Sequence, residues 1–281
     1  MDIGDFPQYV SSERAVAFRF GHHGFVVTRA LSFGPVAAAY ERFRPGYPDE
    51  LVDEVVAYAG QAVRSALEIG AGTGKATCVF AARGIAVTAT DPDARMLTEL
   101  RRHVPATVTT VQGAFEELPS TPTYDLVFAA AALHWTEPAG RWTRVAALLN
   151  PGATFASFGG PMSLADSAVE RTVRAATSPF LADDEVPSPD GTPPDSAMQW
   201  PGTELLRSDR FVDVRQSTIE RRINVPARDY VGYVSTVSAY LALPVAVRRQ
   251  AFERIMAVLP ERVTVIADVT LHLARTLSQV G

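Results

Sequence analysis

Between residues 65 and 158 short apolar runs alternate with stretches of helical periodicity: "SALEI", "KATCVFAARG", "IAVTAT", "DARMLTELRRH", "ATVTTV", "TYDLVFAA", "EPAGRWTRVAALLN" and "GATFASFG". This alternation predicts βαβ units, hence an α/β fold whose largely parallel sheet is covered by helices. The apolar runs stop at turn signals: Gly70 and Gly74, Asp91-Pro92, Gly113 and Pro151-Gly152.

Beyond Gly160 the pattern changes. A helix-like "LADSAVERTVRAA" precedes "LADDEVPSPDGTPPDSAMQWPG", rich in Pro and Asp, which reads as a mobile surface loop or, in the sharper reading, a lid. "FVDVRQSTIERRINV" then alternates like a strand, "ARDYVGYVSTVSAYLAL" and "PVAVRRQAFERIMAVL" are helical, and "RVTVIADVTLHLART" alternates again. Strand, helices, strand predicts an antiparallel edge pair interrupted by a helical cap. The expected organisation is an N-terminal extension (1–32), a core (33–160), an inserted helix with its lid loop (161–210), and edge strands with the cap (211–281). Residues 1–32 have mixed periodicity and suit a docking arm or a segment for homo-oligomerisation.

Composition narrows the class. The 281 residues are 47% hydrophobic, enough for a substantial core. No apolar run reaches the length of a membrane span, about 18 residues, and no signal-peptide pattern opens the chain, so a membrane partner is not expected. The net charge of −5 argues against a broad nucleic-acid footprint. The single cysteine, Cys78, fits a reducing cytoplasm, and the five histidines lack the spacing of a metal site. Lys75 is the only lysine. It opens a helix beside a glycine turn and is a poor Schiff-base candidate.

That turn, "LEIGAGTGKAT", carries the candidate chemistry. A P-loop requires a glycine where Ile69 stands and Ser or Thr where Ala76 stands. A dinucleotide fingerprint G-x-G-x-x-G is broken because Gly70, Gly72 and Gly74 give G-x-G-x-G, although a nicotinamide-dependent oxidoreductase stays open as an alternative. Glu68 precedes the turn, a pairing that suits a ligand with a cationic head and no phosphates. One crossover later Asp91 ends the second strand, where an acidic residue hydrogen-bonds ribose hydroxyls.

With "YERFRPGYPDEL", "TATDPDARML", "QGAFEELP", "YDLVFAAAALHWTEP" and "YVGYVSTVSAYLALP" in order around that turn, the chain resembles the class I S-adenosylmethionine (SAM)-dependent methyltransferases. The likeness is to their bacterial small-molecule branch, which includes relatives of trans-aconitate methyltransferase and natural-product tailoring enzymes. It covers roughly residues 33 to 276. It implies a Rossmann-like sheet of order 3-2-1-4-5-7-6 with strand 7 antiparallel, SAM as cofactor, and methyl transfer to a small-molecule acceptor. A SAM-binding module without catalysis is a further alternative.

The resemblance also implies site residues. Glu68, Gly70, Ala71, Gly72, Thr73 and Gly74 surround the methionine part of SAM. Asp91 holds the ribose, with Pro92 and Met96 beside the adenine. Ala114 and Phe115 stand where many relatives carry a carboxylate for the adenine amine, so ring packing replaces it; Ala130 ends the fourth strand nearby. Tyr40 and Arg44 close over the cofactor tail, the arginine gripping its carboxylate as a fork. His134 is the candidate catalytic base, Trp135 a wall of the acceptor pocket, and Tyr230, Tyr233 and Tyr240 its roof. Because the methyl donor is already activated, positioning can supply most of the rate, and a base is optional.

Overall fold

The computed structural model describes residues 31–181 and 188–277. The expected N-terminal extension, apart from Leu31 and Ser32, and part of the lid loop therefore lie outside the described residues.

The main sheet contains β1 (Ser65–Ile69), β2 (Ala86–Asp91), β3 (Thr109–Gln112), β4 (Tyr124–Ala130), β5 (Leu149–Gly159), β7 (Phe211–Ile219) and β10 (Val269–Thr276). A separate small sheet contains β6 (Ser163–Leu164), β8 (Arg222–Pro226) and β9 (Arg262–Ile266). The helices are α1 (Ala37–Phe43), α2 (Asp49–Ala59), α3 (Lys75–Ala81), α4 (Ala94–Leu100), α5 (Arg141–Ala147), α6 (Ser167–Thr177), α7 (Gly202–Arg207), α8 (Ala227–Val234), α9 (Ser238–Leu241) and α10 (Val245–Val258).

In space the main sheet runs β3-β2-β1-β4-β5-β10-β7. Counting its strands alone, this is the order 3-2-1-4-5-7-6 that the resemblance implied. β1 to β5 pair in parallel, and β10 lies antiparallel to both β5 and β7.

The central strands carry apolar residues on both faces because both faces are covered. Leu126 and Phe128 of β4 enter one cluster with Leu51, Val55 and Phe80 from α2 and α3, while Val127 and Ala129 enter the opposite cluster with Val145 of α5 and Phe211. Phe80 stacks on Phe128 at 4.3 Å between ring centroids. α2 begins with Asp49 and Glu50 in its first turn, where the helix dipole favours negative charge, and ends at Gly60, whose φ of 66° makes the left-handed cap.

The cap differs from the helical one expected, since it also holds the three-stranded sheet. Each of the two long alternating segments is two strands, broken at Glu220-Arg221 and at Ala267-Asp268, where the chain passes from the main sheet into the small one. An Asp268 carboxylate oxygen accepts from the Arg221 N–H (2.8 Å) and from Arg222 Nη1 (2.7 Å), and the Ala267 N–H donates to the Arg221 carbonyl (3.0 Å). Side-chain alternation continues across this crossing, so the pattern along the chain does not mark it.

Residues 188–201 of the expected lid loop form a tied segment. Asp190 accepts from Ser188, Thr192, Thr203 and Arg207, and the Gln199 N–H donates to Gln216 of β7. This segment docks beside β7, and none of its residues lines the cleft described next.

Candidate active site

The carboxyl ends of β1, β4 and β5 open into a cleft roofed by the cap. Its floor comes from the turn after β1. Glu68 is 1% exposed; its Oε2 accepts from Thr77 Oγ1 at 2.5 Å, and its Oε1 has no hydrogen-bond partner. Burial raises the Glu68 carboxyl from 4.5 to about 8 against the lowering effect of Thr77, and Asp91 adds to the rise. Thr73, also 1% exposed, has an unpartnered Oγ1 in the same turn. A buried carboxyl oxygen and a buried hydroxyl without partners, in two residues that line the cleft, are costly unless a ligand pairs them.

The glycines make room for this floor. Gly70 has φ of 65°, and a Cβ there would lie 2.6 Å from that of Ala132, so the turns after β1 and β4 touch only because it has no side chain. A Cβ on Gly72 would meet only the flexible end of Met96, at 3.3 Å.

Asp91 borders the floor. Its Oδ2 accepts from the Gly72 N–H (2.9 Å) and its Oδ1 from the Asp93 N–H (2.8 Å), leaving lone pairs for further donors. Burial outweighs these bonds and raises its carboxyl to about 6. Asp93 caps α4 by accepting from the Arg95 N–H.

The wall facing the cap is aromatic and cationic. Arg44 lies over the rings of Tyr40 (4.6 Å) and Tyr233 (5.2 Å), donating from Nε to Thr236 Oγ1 and from Nη2 to the Thr236 carbonyl, both at 3.0 Å. The fork expected to grip a ligand carboxylate thus ties α1 to the end of α8, with Nη1 remaining. Lys75 Nζ donates to the Glu41 carbonyl (2.6 Å) and to its carboxylate (2.9 Å), a structural pairing in line with its exclusion from Schiff-base chemistry.

Of the residues singled out in the sequence, Tyr40, Arg44, Glu68, Gly70, Ala71, Gly72, Thr73, Ala130 and Tyr233 line this cleft. Gly74, Asp91, Pro92 and Met96 lie outside the lining: Asp91 is joined to it through the Gly72 N–H, the Met96 tip lies against Gly72, and Pro92 follows Asp91 at the end of β2. Phe115 packs in the core cluster under β1 and β4, with Ala114 just before it. Tyr230 and Tyr240 are 6% and 8% exposed within the cap's own core and do not line the cleft. The i,i+3 spacing that groups Tyr230 with Tyr233 serves a core as well as a roof, and only Tyr233 faces the cleft. His134 and Trp135 sit on a single 3-10 turn, Leu133–Trp135, at the same sheet edge but outside the lining. Trp135 connects to the wall through Phe33, whose ring meets Trp135 at 5.9 Å and Tyr40 at 6.0 Å, edge to face.

Sequence reasoning missed Tyr47, Met162, Arg221 and Asp268 in the lining. Tyr47 lies inside the quoted "YERFRPGYP", where a signal was available; burial raises its phenol well above the usual range. Met162, Arg221 and Asp268 reach the cleft only through the fold. Among the described residues no group of three His, Cys, Asp or Glu is placed to hold a metal ion, and no helix is long and apolar enough to cross a membrane.

Residues 67–157 match the family model described as a methyltransferase domain. An uncharacterized methyltransferase of Mycobacterium tuberculosis is 44% identical over 124 residues, which is 44% of this chain and 49% of that protein. A Saccharomyces cerevisiae protein assigned as an S-adenosylmethionine-dependent methyltransferase is 31% identical over 127 residues, 43% of this chain and 44% of its own. The chain thus spans about half the length of the curated relatives it matches. A solved structure from Anaeromyxobacter dehalogenans, assigned as a type II methyltransferase, aligns with a TM-score of 0.57 and 27% identity, covering 84% of this chain and 98% of that one. Taken with the glycine turn and the strand order, these likenesses show a Rossmann-like fold of the class I methyltransferase kind, within which residues 67–157 match a methyltransferase domain.

Proposed function

We propose that the protein is a SAM-dependent methyltransferase acting on a small-molecule acceptor, the branch of tailoring enzymes being the one its motifs resemble. The observation that carries this reading is the unpartnered Glu68 Oε1 at the start of the turn that holds the side-chain-free Gly70 and Gly72, with Gly72 hydrogen-bonded through its N–H to Asp91. These groups fit the cofactor: Glu68 receives an ammonium, the main chain at Gly72 admits close contact, and Asp91 has acceptor capacity left for ribose hydroxyls. Bound SAM supplies a methyl group activated by its sulfonium.

The chain's own residues then position and enclose. Tyr40, Arg44 and Tyr233 form one stacked unit between α1 and the cap, so seating the cap also seats this wall and excludes water. Met162, Arg221 and Asp268 border the remaining space on the cap side and Tyr47 borders it from beside Phe158 of β5, which makes these four the acceptor-facing candidates. His134, on the turn after β4, is the candidate for removing an acceptor proton. The enclosed roof suits a small acceptor rather than a polymer.

Calorimetric titration with SAM, S-adenosylhomocysteine (SAH), NAD and ATP tests the reading. Binding of the first two and of neither nucleotide cofactor is expected, because the turn has neither phosphate-binding spacing. Tighter binding of NAD than of SAM overturns it.

A further inference from the structure

The turn that carries His134 and Trp135 is gripped from both sides by groups that the proposed chemistry does not use. Arg141, the first residue of α5, is 2% exposed. It donates from Nε to Thr136 Oγ1 (2.7 Å), from Nη2 to the Thr136 carbonyl (2.8 Å) and from Nη1 to Glu204 Oε2 (3.1 Å). Thr136 Oγ1 in turn donates to the Leu133 carbonyl at 2.7 Å, closing the turn Leu133–Trp135. Glu204 Oε2 also accepts from Trp142 Nε1 at 2.9 Å, and the Trp200 ring lies 5.4 Å from the Arg141 guanidinium. From the other side, Glu116 Oε1 accepts the Glu137 N–H at 2.7 Å, while the Glu116 carbonyl accepts from Arg144.

Replacing a buried ion pair by apolar side chains of similar volume is often neutral or stabilising, so what Arg141 contributes is read from the geometry its bonds impose. Here those bonds converge on Thr136, directly after Trp135. The opposing clamp comes from the Phe115–Glu117 turn after β3, adjoining the ends of β2 and β1.

We propose that Arg141 and Glu116 are positioning residues that hold the His134–Trp135 turn in register with the cofactor half of the cleft. Arg141 acts from α5 and Glu116 from the turn after β3, so occupancy beside β3 and the geometry of the turn after β4 are linked through one carboxylate. The functional consequence rests on the methyltransferase reading; the clamp does not.

The test uses the full chain with SAH as probe and the variants Arg141→Gln, Glu116→Ala and Glu116→Gln. Amide hydrogen exchange of residues 133–137 and the imidazole resonances of His134 are measured with and without SAH. Arg141→Gln and Glu116→Ala should speed exchange in 133–137 by about 10-fold or more relative to α2, through loss of charge-assisted bonds. Both should also remove the displacement of the His134 resonances that SAH causes in the wild type. Glu116→Gln keeps an oxygen for the Glu137 N–H and should behave as the wild type. Unchanged exchange and unchanged His134 response in the first two variants overturn the proposal, as does acceleration spread evenly over the protein. A wild type that does not bind SAH removes the methyltransferase reading instead, and the exchange comparison without ligand still decides the clamp.

Discussion

Replacing Glu68 with Gln should flatten the dependence of stability on pH. In the folded protein burial raises the Glu68 carboxyl to about 8 from 4.5. The native state therefore holds a proton that the unfolded chain releases, and stability falls as pH rises from the unfolded value through the folded one. Across pH 6 to 8.5 the wild type should lose roughly 2.5 kcal/mol more than Glu68→Gln, taking 1.36 kcal/mol for each pH unit over which the two states differ by one proton. Asp91, raised to about 6, contributes with the same sign in both proteins, and most of its effect falls below the upper part of this pH range. The assay is denaturant unfolding of the protein without ligand at several pH values, followed by tryptophan fluorescence. The carboxyl also predicts a ligand effect: an ammonium seated at Oε1 favours the ionised form, so SAH binding near pH 7 should release up to about one proton. Calorimetry in buffers of different ionisation enthalpy reads this directly. Parallel pH profiles for wild type and variant, with no proton released on binding, would refute the assignment of Glu68 as a buried, ligand-facing carboxyl.

Asp91→Ala should weaken SAH binding by about 1–3 kcal/mol in calorimetry, because it removes charge-assisted acceptors and the bond to the Gly72 N–H. Gly70→Ala should cost about 1–3 kcal/mol of stability, since its Cβ meets Ala132 in a left-handed conformation, an effect read by thermal unfolding. Gly72→Val should remove SAH binding, its side chain meeting the flexible Met96 tip and entering ligand space, and at φ of 56° it should also lower stability, which thermal unfolding reads separately; full SAH affinity in this variant would sink the assignment. With an acceptor that the wild type methylates, His134→Ala should lower kcat by roughly 10²–10⁴-fold with little change in SAH affinity, and a rate within about threefold of wild type would exclude the base role.

Local order was legible in the sequence. Apolar runs separated by helical spacing require strands covered on both faces, and the alternating glycines after "LEI" require a tight turn at the end of the first of them. Glu68 and Asp91 could be singled out because they stand next to last and last in their strands, and parallel strands bring their carboxyl ends to one edge. Which face a side chain takes, and what it meets there, was decided by tertiary packing. Tyr230 and Tyr233 are equivalent in periodicity, yet one fills the cap's core and the other the cleft. Two alternating segments read as two strands became four, because period-2 alternation carries no record of a crossing held by Asp268 and Arg221. Arg44 was expected to serve a ligand from a motif of its own, and its partner Thr236 is 192 residues away. The Arg141 clamp gathers Thr136, Trp200 and Glu204 around one buried cation, an arrangement that exists only once loops distant in sequence pack together. Patterns along a chain record which positions are buried; the pairing of polar groups inside depends on distances that only the folded chain creates.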